Sequence, residues 1–299
     1  MRVSYAPGYY APISDEHIFP MKKFEGLHRY LTEQELIHPS DVVAPSMVDM
    51  ANLMTVHTQR YSKGIMSGEL GDRELRKLGL PWSKGLAVRS RLAVQGTINA
   101  ALMALQDGIS GNLAGGTHHA MPDFGEGFCV FNDVAVAINV LQQSMWARKI
   151  LVIDCDVHQG NGTAAICKDN DDVFTFSVHG AKNYPFKKPP STVDIGLPDE
   201  TGDSAYLQTL GDALDDIFDR FDPDLVFYLG GIDPLETDHF GRLSLSKEGL
   251  KQRDRTVIRK VVGADVPIVL LLSGGYAPTL EQTVKAHALM YEAGLELGY

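Results

Sequence analysis

Lys149-Ile150-Leu151-Val152-Ile153-Asp154-Cys155-Asp156-Val157-His158-Gln159-Gly160-Asn161-Gly162 is the run that decides how this chain folds. Its first part is continuously apolar, the pattern of a strand buried on both faces of a parallel sheet. It then turns abruptly to carboxylates, imidazole and glycine, the chemistry that open α/β sheets gather at the carboxyl ends of their strands. Leu225-Val226-Phe227-Tyr228-Leu229 followed by Gly230-Gly231-Ile232-Asp233 repeats the scheme, with Asp233 75 positions after His158 (233 − 158). Residues i and i+2 of a strand point the same way, so Asp156 and His158 are placed to share a metal ion. Asp156, His158 and Asp233, three O/N ligands without a fourth, form the pattern of a catalytic zinc with one open position.

Two more segments carry complementary chemistry. Gly115-Gly116-Thr117-His118-His119-Ala120 puts adjacent imidazoles in a glycine-rich turn, and Pro267-Ile268-Val269-Leu270-Leu271-Leu272-Ser273-Gly274-Gly275-Tyr276 is another buried strand ending in glycines and a tyrosine. Helical spacing is read over 86–105, over 133–142 behind the capping pair Asn132-Asp133, over 204–221, and over 243–262 with Ser246 as N-cap. Strands alternating with such helices predict a parallel sheet covered on both faces. The stretches 64–85 and 178–203 read as loops, and loops on a rigid scaffold are where site walls are expected.

At 299 residues, 44% hydrophobic and 22% charged, the chain has the make-up of one soluble α/β domain spanning 1–299. A net charge of −11 excludes sequence-independent binding to nucleic acid, which needs a basic face. Cys129, Cys155 and Cys167 are too few and too irregular for a disulfide framework or a thiolate metal site. No apolar stretch reaches membrane-spanning length and no secretory h-region opens the chain, so a cytoplasmic location is expected.

Taken in order, Gly-Gly-Thr-His118-His119, Gly125-Glu126-Gly127-Phe128-Cys129, the Asp154-to-Gly162 run, Gly231-Ile232-Asp233-Pro234-Leu235-Glu236-Thr237-Asp238 and Ser273-Gly274-Gly275-Tyr276 resemble the zinc-dependent histone deacetylase family. Gln159 and Asn161 make the chain similar to the class IV branch and its bacterial relatives. The resemblance implies the arginase/deacetylase α/β fold and removal of acyl groups, acetyl and also long-chain fatty acyl, from the ε-amine of lysine. It also implies that zinc is held by Asp156, His158 and Asp233, and that His118 contacts Asp154 while His119 contacts Asn161. His119 would then be the base, His118 an electrostatic partner, and Tyr276 the donor to the substrate carbonyl. Gly127, Phe128, Tyr184, Phe240 and Gly275 would contact substrate, with Phe128 and Tyr184 as the aromatic walls of a narrow tunnel.

A structural potassium ion, bound around Asp154, Asp156, His158, Ser177 and Val178, is a further implication of the family, as is inhibition by hydroxamates. Acylated proteins, peptides and small acylated amines are all candidate substrates, and an acetylpolyamine amidohydrolase is the nearest competing reading. A two-metal ureohydrolase would want Asp-x-His-x-Asp, where this chain has Gly160, and a second ligand where it has Leu235. A catalytically dead acyl-lysine reader fits poorly, because every catalytic position holds a competent residue.

Overall fold

The structure is a computed structural model that describes residues 1–298. Eight strands form one parallel sheet: β1 (Arg2–Ser4), β2 (Val42–Val43), β3 (Ile109–Asn112), β4 (Ile150–Asp154), β5 (Val173–Gly180), β6 (Val193–Leu197), β7 (Leu225–Leu229) and β8 (Ile268–Leu271). Their spatial order is β2-β1-β3-β8-β7-β4-β5-β6. All residues of β3, β4, β5, β7 and β8 are buried, as the apolar runs of β4, β7 and β8 require, whereas edge strand β6 alternates between half-buried and exposed positions over its first four residues.

The helices are α1 (Lys23–Glu33), α2 (Met50–Leu53), α3 (Gln59–Ser67), α4 (Asp72–Leu78), α5 (Lys84–Asp107), α6 (Asp133–Gln143), α7 (Asn161–Cys167), α8 (Asp203–Arg220), α9 (Lys247–Gly263) and α10 (Leu280–Glu296). Helix α5 lies along β1, β3 and β8 and packs on α6. Helices α8, α9, α10 and α1 pack on one another in that sequence as a second group. None of the helices among the described residues is long and apolar enough to cross a membrane. The three cysteines are buried and unpaired.

Three sequence expectations shift. The stretch 64–85, read as a polar loop broken by glycines, holds the end of α3 and all of α4. Gly68 and Gly79 are not loop breakers but left-handed C-caps (φ +79° and +78°), a conformation that ends a helix and suits glycine. The helix expected from 243 begins at Lys247, with Ser246 capping it by accepting the Gly249 N–H, because Ser244 and Leu245 bridge to Gly202 and Leu235. Strand β4 ends at Asp154, so Asp156 and His158 leave it in a turn, and strand parity is not what aligns them.

What aligns them is level register. Asn112 pairs with Leu271, Leu271 with Leu229 and Leu229 with Asp154, so β3, β8, β7 and β4 finish on one line, level with Ser177 of β5, which runs on to Gly180. Beneath that line Arg253, fully buried on α9, donates from Nη1 to the carbonyls of Cys155 (3.2 Å) and Gly231 (2.5 Å), tying together the loops that follow β4 and β7. Its charge is balanced by Asp254 (2.8 Å from Nη2), which also accepts the Tyr228 hydroxyl.

Removing the guanidinium leaves Asp254 buried with the tyrosine as its remaining side-chain donor. Arg253→Met is therefore expected to lower the unfolding free energy by about 3–5 kcal/mol, as breaking a buried pair generally does. Urea denaturation measures it, and a loss below about 1 kcal/mol, the size of an ordinary substitution, would show that the clamp is dispensable.

Candidate active site

Each loop leaving the line of strand ends carries one group of the predicted site residues. His118 and His119 follow β3, Ser273 to Tyr276 follow β8, Asp233 follows β7, and Asp156, His158 and Asn161 follow β4. These four strands are consecutive in the sheet, so motifs far apart in sequence meet in space.

Asp156, His158 and Asp233 each offer one ligand atom, and these atoms lie within 4.8 Å of one another. His158 Nδ1 is 3.0 Å from Asp156 Oδ1 and 3.1 Å from Asp233 Oδ2. The cluster is oriented by its surroundings: Asp156 Oδ2 accepts the Gly274 N–H (2.7 Å) and the Ser273 hydroxyl (2.8 Å), and Asp233 Oδ1 accepts the Val157 N–H (2.9 Å). Gly274 is obligatory, since a Cβ there would stand 2.3 Å from Asp233 Oδ2 and 2.6 Å from Asp156 Oδ2. Burial, then the neighbouring Asp156, push the Asp233 carboxyl up to about 7. Two such carboxylates with one imidazole, dry and convergent, are the donor set that fits a divalent zinc ion.

The tandem histidines have different partners, as the resemblance implies. His118 Nδ1 donates to Asp154 Oδ2 (2.7 Å), and His119 Nδ1 lies 2.6 Å from Asn161 Oδ1. Burial opposes a charge on His118, but Asp154 and Asp156 outweigh it and lift the imidazole to about 9. Burial, with His118 and His158 beside it, holds His119 well below the ordinary range. Asn161 Nδ2 in turn donates to Glu126 Oε1 (2.6 Å), whose other oxygen meets Lys77 (3.1 Å).

A cavity of about 560 Å³ opens onto this group. Gly127, Phe128, Tyr184, Phe240 and Tyr276 line it, together with His118, His119, Asp156 and His158. Tyr184 meets His119 edge-on at 5.1 Å, Phe240 meets Tyr276 at 4.9 Å, and Phe128 lies 5.8 Å from Tyr276. Gly275 is placed differently: its open side faces Ile232, and it does not line the cavity. Ser177 sits opposite Asp154 in the β4–β5 ladder, with Val178 next to it, and its hydroxyl bonds His179 (3.0 Å).

Several working residues escaped sequence reasoning. Glu126 stands inside a quoted motif without a role. Asp238 accepts the Tyr276 N–H (2.7 Å) and the Phe240 N–H (2.8 Å), fixing two cavity residues at once. Arg253 and Asp254 fall on the apolar stripe Leu250, Val257, Ile258, Val261 of α9, and charges on a buried stripe are a readable signal.

Comparison with known proteins agrees with this geometry. The histone deacetylase domain matches residues 17–291. The chain belongs to the histone deacetylase family. An uncharacterized protein of Picosynechococcus sp. is 43% identical over 99% of this chain and 98% of its own length. The acetoin utilization protein AcuC of Bacillus subtilis is 30% identical, over 80% of this chain and 68% of its own. Among solved structures, an HDAC homologue from Aquifex aeolicus has a TM-score of 0.82 at 25% identity, covering 98% of this chain and 83% of that one. A second HDAC homologue, complexed with SAHA, has a TM-score of 0.80 at 23% identity over 99% and 87%. The expected arginase/deacetylase fold is therefore the fold observed, and the chain is a hydrolase of a zinc-dependent family.

If the convergent triad is the whole metal centre, the protein purifies with one zinc per chain, and Asp233→Ala loses it. Elemental analysis of both proteins decides this. Two ions per active chain, or an Asp233→Ala protein with full zinc, would overturn the assignment.

Proposed function

We propose that this chain, as one catalytic domain over residues 1–299, hydrolyses acyl amides of the lysine ε-amine in proteins or peptides, in the manner of a class IV-like deacetylase. The observation that carries the reading is the meeting of the metal-ligand triad, two unequally partnered histidines and Tyr276 in one aromatic-lined cavity. When bound by Asp156, His158 and Asp233, zinc supplies the Lewis acidity that polarises the acyl carbonyl and makes the attacking water more acidic.

The proton work falls to His119, and Glu126 is why. A carboxylate only accepts, so Glu126 turns the Asn161 amide with its NH₂ toward itself and its oxygen toward His119. His119 must then donate its Nδ1–H to that oxygen, which leaves Nε2 with a free lone pair. A base held neutral takes the water proton and returns it to the leaving amine. His118, held by Asp154 and raised to about 9, stays cationic and acts electrostatically. Tyr276 donates its hydroxyl to the developing oxyanion. Phe128 and Tyr184 grip the apolar stem of the lysine, with Phe240 toward the rim.

A potassium ion beside Asp154, Ser177 and Val178 belongs to the same proposal as a support for the loop after β4. So does binding of hydroxamates such as SAHA, which the homologous complex supports. A small acylated amine is the second reading; the similar AcuC is named for the utilization of a small molecule, acetoin, which is in keeping with a small-molecule substrate without pointing to an amine. Turnover of an acetyl-lysine peptide beside acetylputrescine separates the two.

Tyr276→Phe is expected to lower kcat on the order of a hundredfold or more, the effect of one oxyanion donor, with zinc content unchanged. A variant that keeps most of its turnover would remove Tyr276 from the mechanism.

Asn161→Asp alone would press a carboxylate against Glu126, and two carboxylates at that distance do not both ionise. The informative variant is Asn161→Asp with Glu126→Gln. The new anion raises the pKa of His119, so the base stays protonated to higher pH and the acidic limb of kcat/KM moves upward. A limb that stays put or moves down would show that His119 is not the base.

A further inference from the structure

Two cations stand in the buried wall of the catalytic cavity, and neither is in a salt bridge with any described residue; the carboxylates of Asp233 and Asp156 act on Lys23 only from beyond that range. Lys23 on α1 and Arg89 on α5 are 2% and 4% exposed, and both line the cavity. The Lys23 ammonium donates to the Ser273 carbonyl (3.1 Å) and to His287 Nε2 (3.3 Å), neither of them an anion. The Arg89 guanidinium makes no hydrogen bond to any described residue, and its Nε is enclosed without a partner. Its neighbours are the rings of Phe24 and Phe19, 4.5 Å and 5.9 Å from Cζ. The Phe24 ring also lies 5.6 Å from Lys23 Nζ, so the two cations share one aromatic surface.

Burial lowers Lys23 to about 8 and Arg89 to about 10, so both remain predominantly charged at neutral pH. A buried charge without a counter-ion is costly, and an anion that completes it binds well. The place is close to the chemistry. Ser273, whose carbonyl accepts from Lys23, gives its hydroxyl to the metal ligand Asp156 (2.8 Å). The mouth of the cavity is marked by Phe240, 39% exposed, and the cations belong to its buried end.

We infer that the cavity is built for acyl groups ending in a carboxylate, short dicarboxylic acyls such as malonyl or succinyl, with Arg89 and Lys23 binding the terminal carboxylate. The inference rests on the deacylase reading and specifies its substrate. An acetyl group has no atom beyond its methyl with which to engage the two cations. A fatty tail would seal them against hydrocarbon with their donors unmet. A carboxylate accepts two parallel N–H bonds from a guanidinium and a third from an ammonium, the strong charge-assisted kind. In the reaction the oxygen of water joins the acyl carbon, the carbon–nitrogen bond breaks, and the lysine nitrogen takes the proton. The products are the free amine and the dicarboxylate.

The test compares peptides carrying succinyl-lysine, its neutral isostere succinamoyl-lysine, and acetyl-lysine on one sequence with the zinc-loaded protein. kcat/KM reports steps up to the first irreversible one, so binding of the released acid does not enter it. The expected result is a preference for succinyl over succinamoyl on the order of tenfold to a hundredfold, the range of a hydrogen bond to a charged group. That preference is lost in Arg89→Met and reduced in Lys23→Gln. If Arg89→Met fails to fold, the wild-type ratio and Lys23→Gln decide alone. A wild-type protein that turns over acetyl-lysine but prefers the neutral isostere, or ignores succinyl-lysine, overturns this inference and leaves the deacylase reading standing. A protein that turns over none of the three overturns both.

Discussion

Two carboxylates have to be held side by side, out of water, against their mutual repulsion. Much of what surrounds Asp156 and Asp233 serves that requirement. Backbone N–H groups of Gly274 and Val157 and the Ser273 hydroxyl aim the oxygens. The absence of a side chain at Gly274 makes room for both. Arg253 fastens the two loop carbonyls from below, and its own charge is answered by Asp254 rather than by the site. The rigidity that results suits a metal centre, because ligands fixed by other contacts need little rearrangement when the ion binds.

The same economy separates the two histidines. They are neighbours in sequence with ring centroids 4.1 Å apart, yet one faces a carboxylate and the other an amide. The acceptor is an oxygen in both bonds, and the charge of the group that carries it sets which imidazole holds a second proton. Glu126 acts one residue further out, since it fixes the direction of an amide that could otherwise face either way.

Much of this was legible in the chain. Strands β4, β7 and β8 announce themselves because both faces are buried, and a continuous apolar run has few other readings. The ligands are legible because zinc restricts residue type and number. The strand order was not, since nothing local tells that β7 and β8 enter between β3 and β4. Nor was the turn that carries Asp156 and His158, whose alignment comes from partners on other loops. Helix α4 hid because its capping glycine looks like a loop residue. Lys23 and Arg89 hid for the opposite reason: a cation is read as surface, and only the packing shows that these two are enclosed.

The strand order has a consequence for how the molecule comes into being. Strands β3 and β4 follow each other along the chain, but the space between them is filled by the last two strands to be synthesised. Strand β8 pairs with β3 across most of the chain, Ile109 meeting Ile268. Contacts of such long range form late and slowly. A nascent chain on the ribosome therefore carries both histidines and two of the three ligands long before it can bring them together. The gap between β3 and β4 exposes strand edges until the carboxyl-terminal third arrives. A chain that stops before β8 lacks both the partner of β3 and Tyr276, so the site assembles only when the carboxyl-terminal segment is made.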